Sequence, residues 1–432
     1  MALPFQKLPG LSAAALVAFG MSSRRVIVVG GGAAGFFAAI TCAQAAADAE
    51  VTVLEKGACF LGKVRISGGG RCNVTNGRFD VRTLAEFYPR GARALRGACQ
   101  VFGAAETIAW FETRGVKLKM ESDGRMFPIT DSSETIIDCL VRVATDAGVK
   151  LQTHCGLERA VRMPGGEFQL TLSNGQTITC DRLLLATGGC RAPEAGELAA
   201  SLGHVLEPPA PSLFTFQIDA AWVRELSGIS VEPVTASIPE ADLRERGPLL
   251  LTHWGVSGPV ILRLSAWGAR RLQALNYQFA LRLNWLPGLS VEQIEAALRA
   301  RRESDPQRLF IKSPIGMLPA RLWEKLAMTA GIPRDLRCAD LSRGARHLLV
   351  QQLIRTELKV SGKSLNKDEF VTCGGVRLGD VNFQTMESRL CPGLYFAGEL
   401  LDIDGVTGGY NFQAAWTTGW LAGRGMAGGL RS

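Results

Sequence analysis

The sequence predicts an α/β protein built on a buried parallel sheet, and three stretches carry that prediction. VIVVGGGAAG, Val26 to Gly35, is a short apolar β-type run that breaks into glycine and continues in small residues. VTVLEK follows as a second strand ending in Glu55. SNGQTITCDRLLLATGG then returns to the pattern, with Leu183 to Leu185 entering a buried strand that ends at Thr187, Gly188 and Gly189.

Gly30, Gly32 and Gly35 give the first stretch its GxGxxG spacing. Between a strand and a helix, the first glycine makes the tight turn, the second lets a pyrophosphate approach the backbone, and the third lets the helix pack close to the sheet. Ala33 and Ala34 open that helix, where free amides face an anion. Glu55 lies near the offset of roughly 20 residues expected of an acid that holds adenosine ribose hydroxyls. The spacing alone is a weak signal, but strand, turn, helix, second strand and terminal acid together predict a dinucleotide site. Lys56 follows that acid and is grouped with the cofactor-facing residues.

A chain of 432 residues, 47% of them hydrophobic, implies two or three well-filled domains. Forty-eight Lys and Arg against forty Asp and Glu give a formal charge of +8, dispersed along the chain and compatible with an anionic substrate or RNA. The eleven cysteines form neither CxxC pairs nor a zinc pattern, so reduced cytoplasmic thiols and no metal are expected. LSAAALVAFG resembles a short signal core, but Arg24 and Arg25 and then the first strand follow without a spacer, and Met1 and Met21 are both candidate starts. No later segment has the 18 or so uninterrupted apolar residues of a membrane span.

After Glu55, GKVRISGGGRCNVTNG is too rich in glycine and polar residues for ordinary core. Its alternatives are a structural loop or a cofactor wall in which Gly69 and Gly70 bring backbone close and Lys63 or Arg71 neutralises phosphate. Arg71, Cys72 and Asn73 bring polar groups beside that wall, and Cys72 is the thiol least like a core cysteine. Residues 80 to 150 alternate helices with short connections, with GRMFP as a turn or short strand. Val149 to Ser173 reads as sheet, and Asn174–Gly175 as a hairpin turn. EPPAPSL marks departure from the first domain. THWGVSGP then carries His253, one of only four histidines, as a candidate for proton transfer or a purely structural residue. SVEQIEAALRARRE and LPARLWEKLAMTAG read as amphipathic helices.

Near the carboxyl end, FVTCGGVRLGDVN combines β propensity with a turn at Gly374 and Gly375. Leu394 to Ala397 brings Gly398, Glu399 and Asp402 to the sheet edge where nucleotides bind. Gly408 and Gly409 permit close approach, a helix beginning around Asn411 presents its amides, and Tyr410 is grouped with these cofactor-facing residues. Both acids can instead cap turns.

GGGAAG, GK..ISGGGRCNVTN, THWGVSGP, TCGGV, TMES and YFAGELLDIDG..GGYNFQ, in this order, resemble the BaiN/RdsA-like family of FAD-dependent oxidoreductases, the HI0933-like flavoproteins, from about Val26 to Gly425. The resemblance implies a split Rossmann-like FAD-binding domain at 24–195 and 371–432. It implies an inserted strand-rich, β-barrel-like domain at 196–288 and 347–370, which itself carries a helical insertion at 289–346. Residues 1–23 are left as a loose extension. It also implies hydride transfer from NADH or NADPH through FAD to an electron-poor small molecule, with Cys72 or His253 as proton donor. Two alternatives accompany it: a ribosomal RNA dihydrouridine synthase acting on an RNA uracil, and a noncatalytic flavin-binding assembly protein.

Overall fold

The structure, a computed structural model, describes residues 23–190, 193–364 and 371–428. The expected extension through residue 22 and both candidate start sites lie outside the described residues. A seven-stranded sheet organises the cofactor-binding region. Its strands run in the spatial order Val381–Asn382, Glu387–Ser388, Leu394–Phe396, Arg182–Leu185, Arg24–Val29, Ala49–Leu54 and Lys150–Gln152. The last five pair in parallel.

Val26 to Val29 are buried at consecutive positions, as a strand covered on both faces requires. The chain leaves this strand toward Ala49–Leu54 on one side and pairs with Arg182–Leu185 on the other. The strand order therefore switches beside Gly30, and such a switch opens a crevice at the carboxyl ends of the strands. Helix Ala33–Ala45 leaves that crevice, and the carboxyl-terminal helix Tyr410–Met426 packs along it. A Cβ on Gly419 or Gly423 would lie 2.6 or 2.5 Å from the Ala34 or Ala38 carbonyl oxygen, so these small residues set how closely the two helices cross. The amino-terminal turns of both helices line that crevice.

A closed barrel is inserted in this framework, from strands Thr215–Ile218, Gly255–Ser257, Leu243–Thr252, Ser230–Ile238, Phe279–Asn284 and Thr356–Ser364 in ring order. Buried and half-buried residues alternate along Phe279–Asn284, as a barrel wall demands. Between that strand and Thr356–Ser364 come helices Val291–Ser304, Ala320–Thr329 and Arg343–Arg355, whose apolar faces continue the barrel core. The first is started by a capping box between Ser290 and Gln293. Among the described residues no helix is long and apolar enough to cross a membrane.

Two sequence expectations change. The expected break at EPPAPSL and the expected turn at Gly374–Gly375 are the two strands of one antiparallel ribbon, Leu206–Ser212 on Val371–Val376. The register shifts between Glu207 and Ala210, where Pro208 and Pro209 have no N–H to give the ladder. Gly374, at φ +92°, accommodates the bulge, since a Cβ there would sit 2.4 Å from the Pro208 carbonyl oxygen. The glycine-rich run after Leu61 is not all loop either: Gly62 starts a helix that kinks at Ser67, and Gly68 and Gly69 then turn left-handed.

Candidate functional site

A cavity of about 520 Å³ lies in the crevice at the strand switch. Gly30, Gly32, Ala33, Ala34 and Glu55 form one end, and Lys63, Thr187, Gly188, Gly398 and Glu399 line its middle. Asn73, Gly408, Gly409 and Asn411 line the other end. Three distant stretches of sequence therefore meet on one surface.

The electrostatics of this surface come largely from backbone. Helix Ala33–Ala45 has no acid in its first turn and no side-chain cap, and the same holds for Tyr410–Met426. Their unpaired amides leave two positive helix ends on one cavity. Glu55 is fixed at the nucleotide end, accepting from the Gly31 N–H at 2.9 Å and the Gly57 N–H at 2.7 Å. Each of its oxygens keeps a second lone pair for a hydroxyl. Glu399 accepts from the Thr372 N–H at 2.9 Å and pairs with Lys63. Asn73 accepts from the Gly409 N–H at 2.9 Å and donates to the Thr75 carbonyl at 3.0 Å, joining the amino-terminal loop to the carboxyl-terminal helix.

These features fit FAD. A Cβ at Gly32, Gly62 or Gly188 would meet nothing within 4 Å, so open space lies against the backbone where phosphates and a ribityl chain need it. The Thr187 hydroxyl oxygen is buried without a hydrogen-bond partner among the described residues, an acceptor or donor awaiting a ligand group.

Other expected site residues are placed elsewhere. Gly35 serves packing, its Cβ position lying 2.0 Å from the Gly30 carbonyl oxygen. Asp402 accepts from Arg270 at 2.9 and 3.0 Å and from the Gly374 N–H at 2.9 Å, which ties the barrel helix Pro259–Ala274 to the cavity wall. Arg71 pairs with Glu121 at 2.8 Å and lies 4.0 Å from the Phe127 ring centroid. Tyr410 stacks on Phe87 and accepts from Arg78, and Lys56, Gly69, Gly70 and Gly189 are likewise outside the cavity wall.

Neither expected proton donor reaches the cavity wall. Cys72 is 0% exposed, and burial pushes its thiol up to about 12, only partly opposed by a hydrogen bond with Ser67. Such a thiol stays protonated and sealed in the core. His253 is exposed at a barrel hairpin, edge-on to Trp254.

Ser67, in the glycine-rich run read as a candidate cofactor wall, lines the cavity, as do Arg125 and Phe127 of GRMFP, a segment expected near the substrate face. Ile66, Leu213 and Val371 are wall residues to which sequence reading gave no role, the last two at the ribbon that leads to the barrel. GRMFP had been readable as a turn or short strand, but its function had no local motif. The strand Arg125–Pro128 reaches the cavity only because it pairs with Thr75–Asn76.

Comparison with known proteins finds relatives along most of the chain. The family model described as HI0933-like protein Rossmann domain matches residues 24–425. A 3-dehydro-bile acid delta(4,6)-reductase of Clostridium scindens is 29% identical over 398 residues, covering 90% of this chain and 96% of that protein. A ribosomal RNA dihydrouridine synthase of Escherichia coli K12 is 29% identical over 368 residues, covering 83% and 87%. Among solved structures, a 3-ketosteroid-delta4-(5alpha)-dehydrogenase from Rhodococcus jostii RHA1 aligns with a TM-score of 0.49 at 16% identity, over 96% of this chain and 99% of that one.

Proposed function

The chain belongs to the HI0933-like family and is an FAD-dependent oxidoreductase fed by NADH or NADPH, and we propose that its substrate is a carbon–carbon double bond conjugated to a carbonyl. The observation that carries this reading is the mixed lining of the cavity: the amides and glycines of its nucleotide end, together with apolar Ile66, Phe127, Leu213 and Val371 beside polar Asn73 and Arg125. The activities named for the two relatives support it, since a 3-oxo-Δ4,6 steroid and a uracil ring both present a double bond in conjugation with a carbonyl.

Bound FAD supplies a ring that takes up hydride and passes it on. The chain's own residues do the rest in this reading. Glu55 would hold the adenosine ribose, the amides of Ala33 and Ala34 would hold the diphosphate, and Thr187 would meet the ribityl chain. Gly408, Gly409 and the amide of Asn411 would lie against the ring. With neither Cys72 nor His253 on the wall, the proton that completes reduction comes from water. The eleven cysteines, none paired with another, support a cytoplasmic setting.

Anaerobic absorbance of the FAD-loaded protein tests the proposal. Bleaching by NADH or NADPH, followed by recovery on adding a conjugated enone or uridine-containing RNA but not the saturated ketone, is expected. Bleaching without recovery by any conjugated carbonyl would overturn it.

Within this class, an RNA uracil is favoured as substrate by one further feature. A cleft on the helical insertion is lined by Arg299, Arg343, Arg346 and His347, with Glu295 paired to Arg299. Residues 289–346 hold eleven Lys and Arg against seven Asp and Glu, half the net charge of the whole chain. Cations so placed suit a phosphodiester backbone. Loss of one ribosomal dihydrouridine from cells lacking the protein, restored by the wild type, identifies this substrate; an unchanged dihydrouridine map excludes it.

A further inference from the structure

We propose that Arg125 is the group that binds and polarises the substrate carbonyl, an inference that rests on the conjugated-carbonyl reading above. Among the described residues, Lys63 and Arg125 are the two Lys or Arg side chains on the cavity wall. Lys63 is paired with Glu399 in the middle of the cavity, whereas Arg125 stands at the end opposite Glu55, beside Phe127 and Asn73.

Its guanidinium is held in place before any substrate arrives. Nε donates to Asp123 at 2.7 Å, and one terminal nitrogen, Nη2, meets Glu121 at 2.9 Å. The same Glu121 holds Arg71 at 2.8 Å, so the two guanidiniums bracket the buried Phe127 ring, at 4.0 and 5.5 Å from its centroid. Arg125 extends from a strand registered on Asn76, not from a free loop. The remaining terminal nitrogen, Nη1, has no hydrogen bond among the described residues, and the side chain is 38% exposed. An arginine braced on two of its three nitrogens, with the third directed to neither brace, has donors left for an oxygen.

The chemistry asks for such a donor. When hydride reaches the β-carbon of a conjugated carbonyl, the double-bond electron pair moves toward the carbonyl oxygen, which becomes enolate-like. The α-carbon then takes a proton from water, and the carbonyl re-forms. Arg125 donates hydrogen bonds to that oxygen as its charge grows and transfers no proton, because its guanidinium stays protonated throughout. Leu213 and Val371 line the same cavity and add apolar surface to it. A uracil carbonyl and a steroid ketone can share this one anchor, while the surrounding apolar wall distinguishes ring systems.

The test uses FAD-loaded wild type, Arg125→Gln and Arg125→Lys. Three readouts are FAD retention, the rate of anaerobic bleaching by NADH or NADPH, and the rate of reoxidation by 2-cyclohexenone and by uridine. The fourth is the long-wavelength absorbance that appears when 4-chlorophenolate, an enolate mimic, stacks on oxidised flavin. For R125Q we expect retained FAD, bleaching within threefold of wild type, reoxidation slowed by about 10²–10³-fold, and phenolate binding weakened at least tenfold. R125K should fall between, since it keeps the charge without the fork. Reoxidation and phenolate affinity within threefold of wild type in R125Q would overturn the assignment. So would loss of FAD from both variants, which would make Arg125 a structural brace. If wild-type enzyme is not reoxidised by any conjugated carbonyl, the substrate reading fails, and phenolate affinity unchanged in R125Q then removes the Arg125 assignment as well.

Discussion

Replacing Gly32 or Gly35 with alanine adds one methyl group three residues apart, yet the two changes should fail in different ways. At Gly32 the backbone is extended, φ −91°, and an added Cβ meets no protein atom within 4 Å. Alanine is a poorer N-cap than glycine by a few tenths of a kcal/mol, roughly offset by the lower entropy of its unfolded chain. The apoprotein should therefore melt within about 1–2 °C of wild type. The methyl instead points into the cavity where a diphosphate must touch backbone. Losing one charge-assisted amide–phosphate hydrogen bond costs about 1.5–3 kcal/mol, a 10- to 150-fold rise in the Kd for FAD by the usual 1.4 kcal/mol per decade. At Gly35 the added Cβ would lie 2.0 Å from the Gly30 carbonyl oxygen and 3.2 Å from a Val28 methyl, so helix and strand must separate. Overpacking of this kind costs about 1–3 kcal/mol, or roughly 2–12 °C in melting temperature. FAD titration into apoprotein by fluorescence quenching, paired with thermal melts without FAD, distinguishes the two. G32A binding FAD within threefold of wild type would refute the assignment of Gly32 to the diphosphate, and G32A melting as low as G35A would refute the packing distinction.

Arg90→Ala should destabilise the protein by about 3–5 kcal/mol in urea unfolding, because Asp404, 0% exposed, would lose the guanidinium that pairs with it and keep only Ser212; a change under 1 kcal/mol would show the pair to be dispensable. Burial holds the His204 imidazole below its ordinary value of about 6.5, with Nε2 2.8 Å from the Ser388 hydroxyl. The unfolded chain therefore binds more protons just below pH 6.5, and stability should fall as pH drops from there toward the depressed folded value. His204→Gln should flatten that slope between pH 7 and 5, and an unchanged slope would reassign it. Cys59 is the exposed cysteine among eleven and lines the cavity, so iodoacetamide at pH 8 should label it first and FAD should slow the labelling. Rapid labelling of Cys59→Ser at Cys72 would contradict the sealed, protonated thiol.

What could be read from sequence follows from what builds each wall. The nucleotide end is made of backbone amides and glycines, and these leave local marks: Gly30 to Ala34, Glu55, Gly188, Gly408, Gly409 and Asn411 all reach the cavity. The substrate end is made of side chains brought together by pairing. Arg125 and Phe127 arrive through a three-stranded sheet, and Leu213 and Val371 through a ribbon whose prolines and glycines imitate a linker and a turn. No window of sequence holds that geometry. Cys72 misled for a related reason: its glycine-rich neighbours suggest exposure, but Ser67 and the kinked helix close over it.

Asp402 and Asp404 show how the two ends are coupled. Read in sequence, LLDIDG places Asp402 beside a cofactor loop and suggests a ligand or a turn cap, and Asp404 received no role. In the fold each faces away from the cavity, Asp402 toward Arg270 of the barrel helix and Asp404 toward Arg90 and Ser212. Arg90 also donates to the Ala266 carbonyl on that same barrel helix, at 2.8 Å. Between the two clamped acids sits Ile403, a cavity residue. The segment that borders the cofactor is thus fixed by the domain that borders the substrate. These charge-assisted bonds tie one register of the segment to the barrel helix, so a shift of the barrel would carry Ile403 with it.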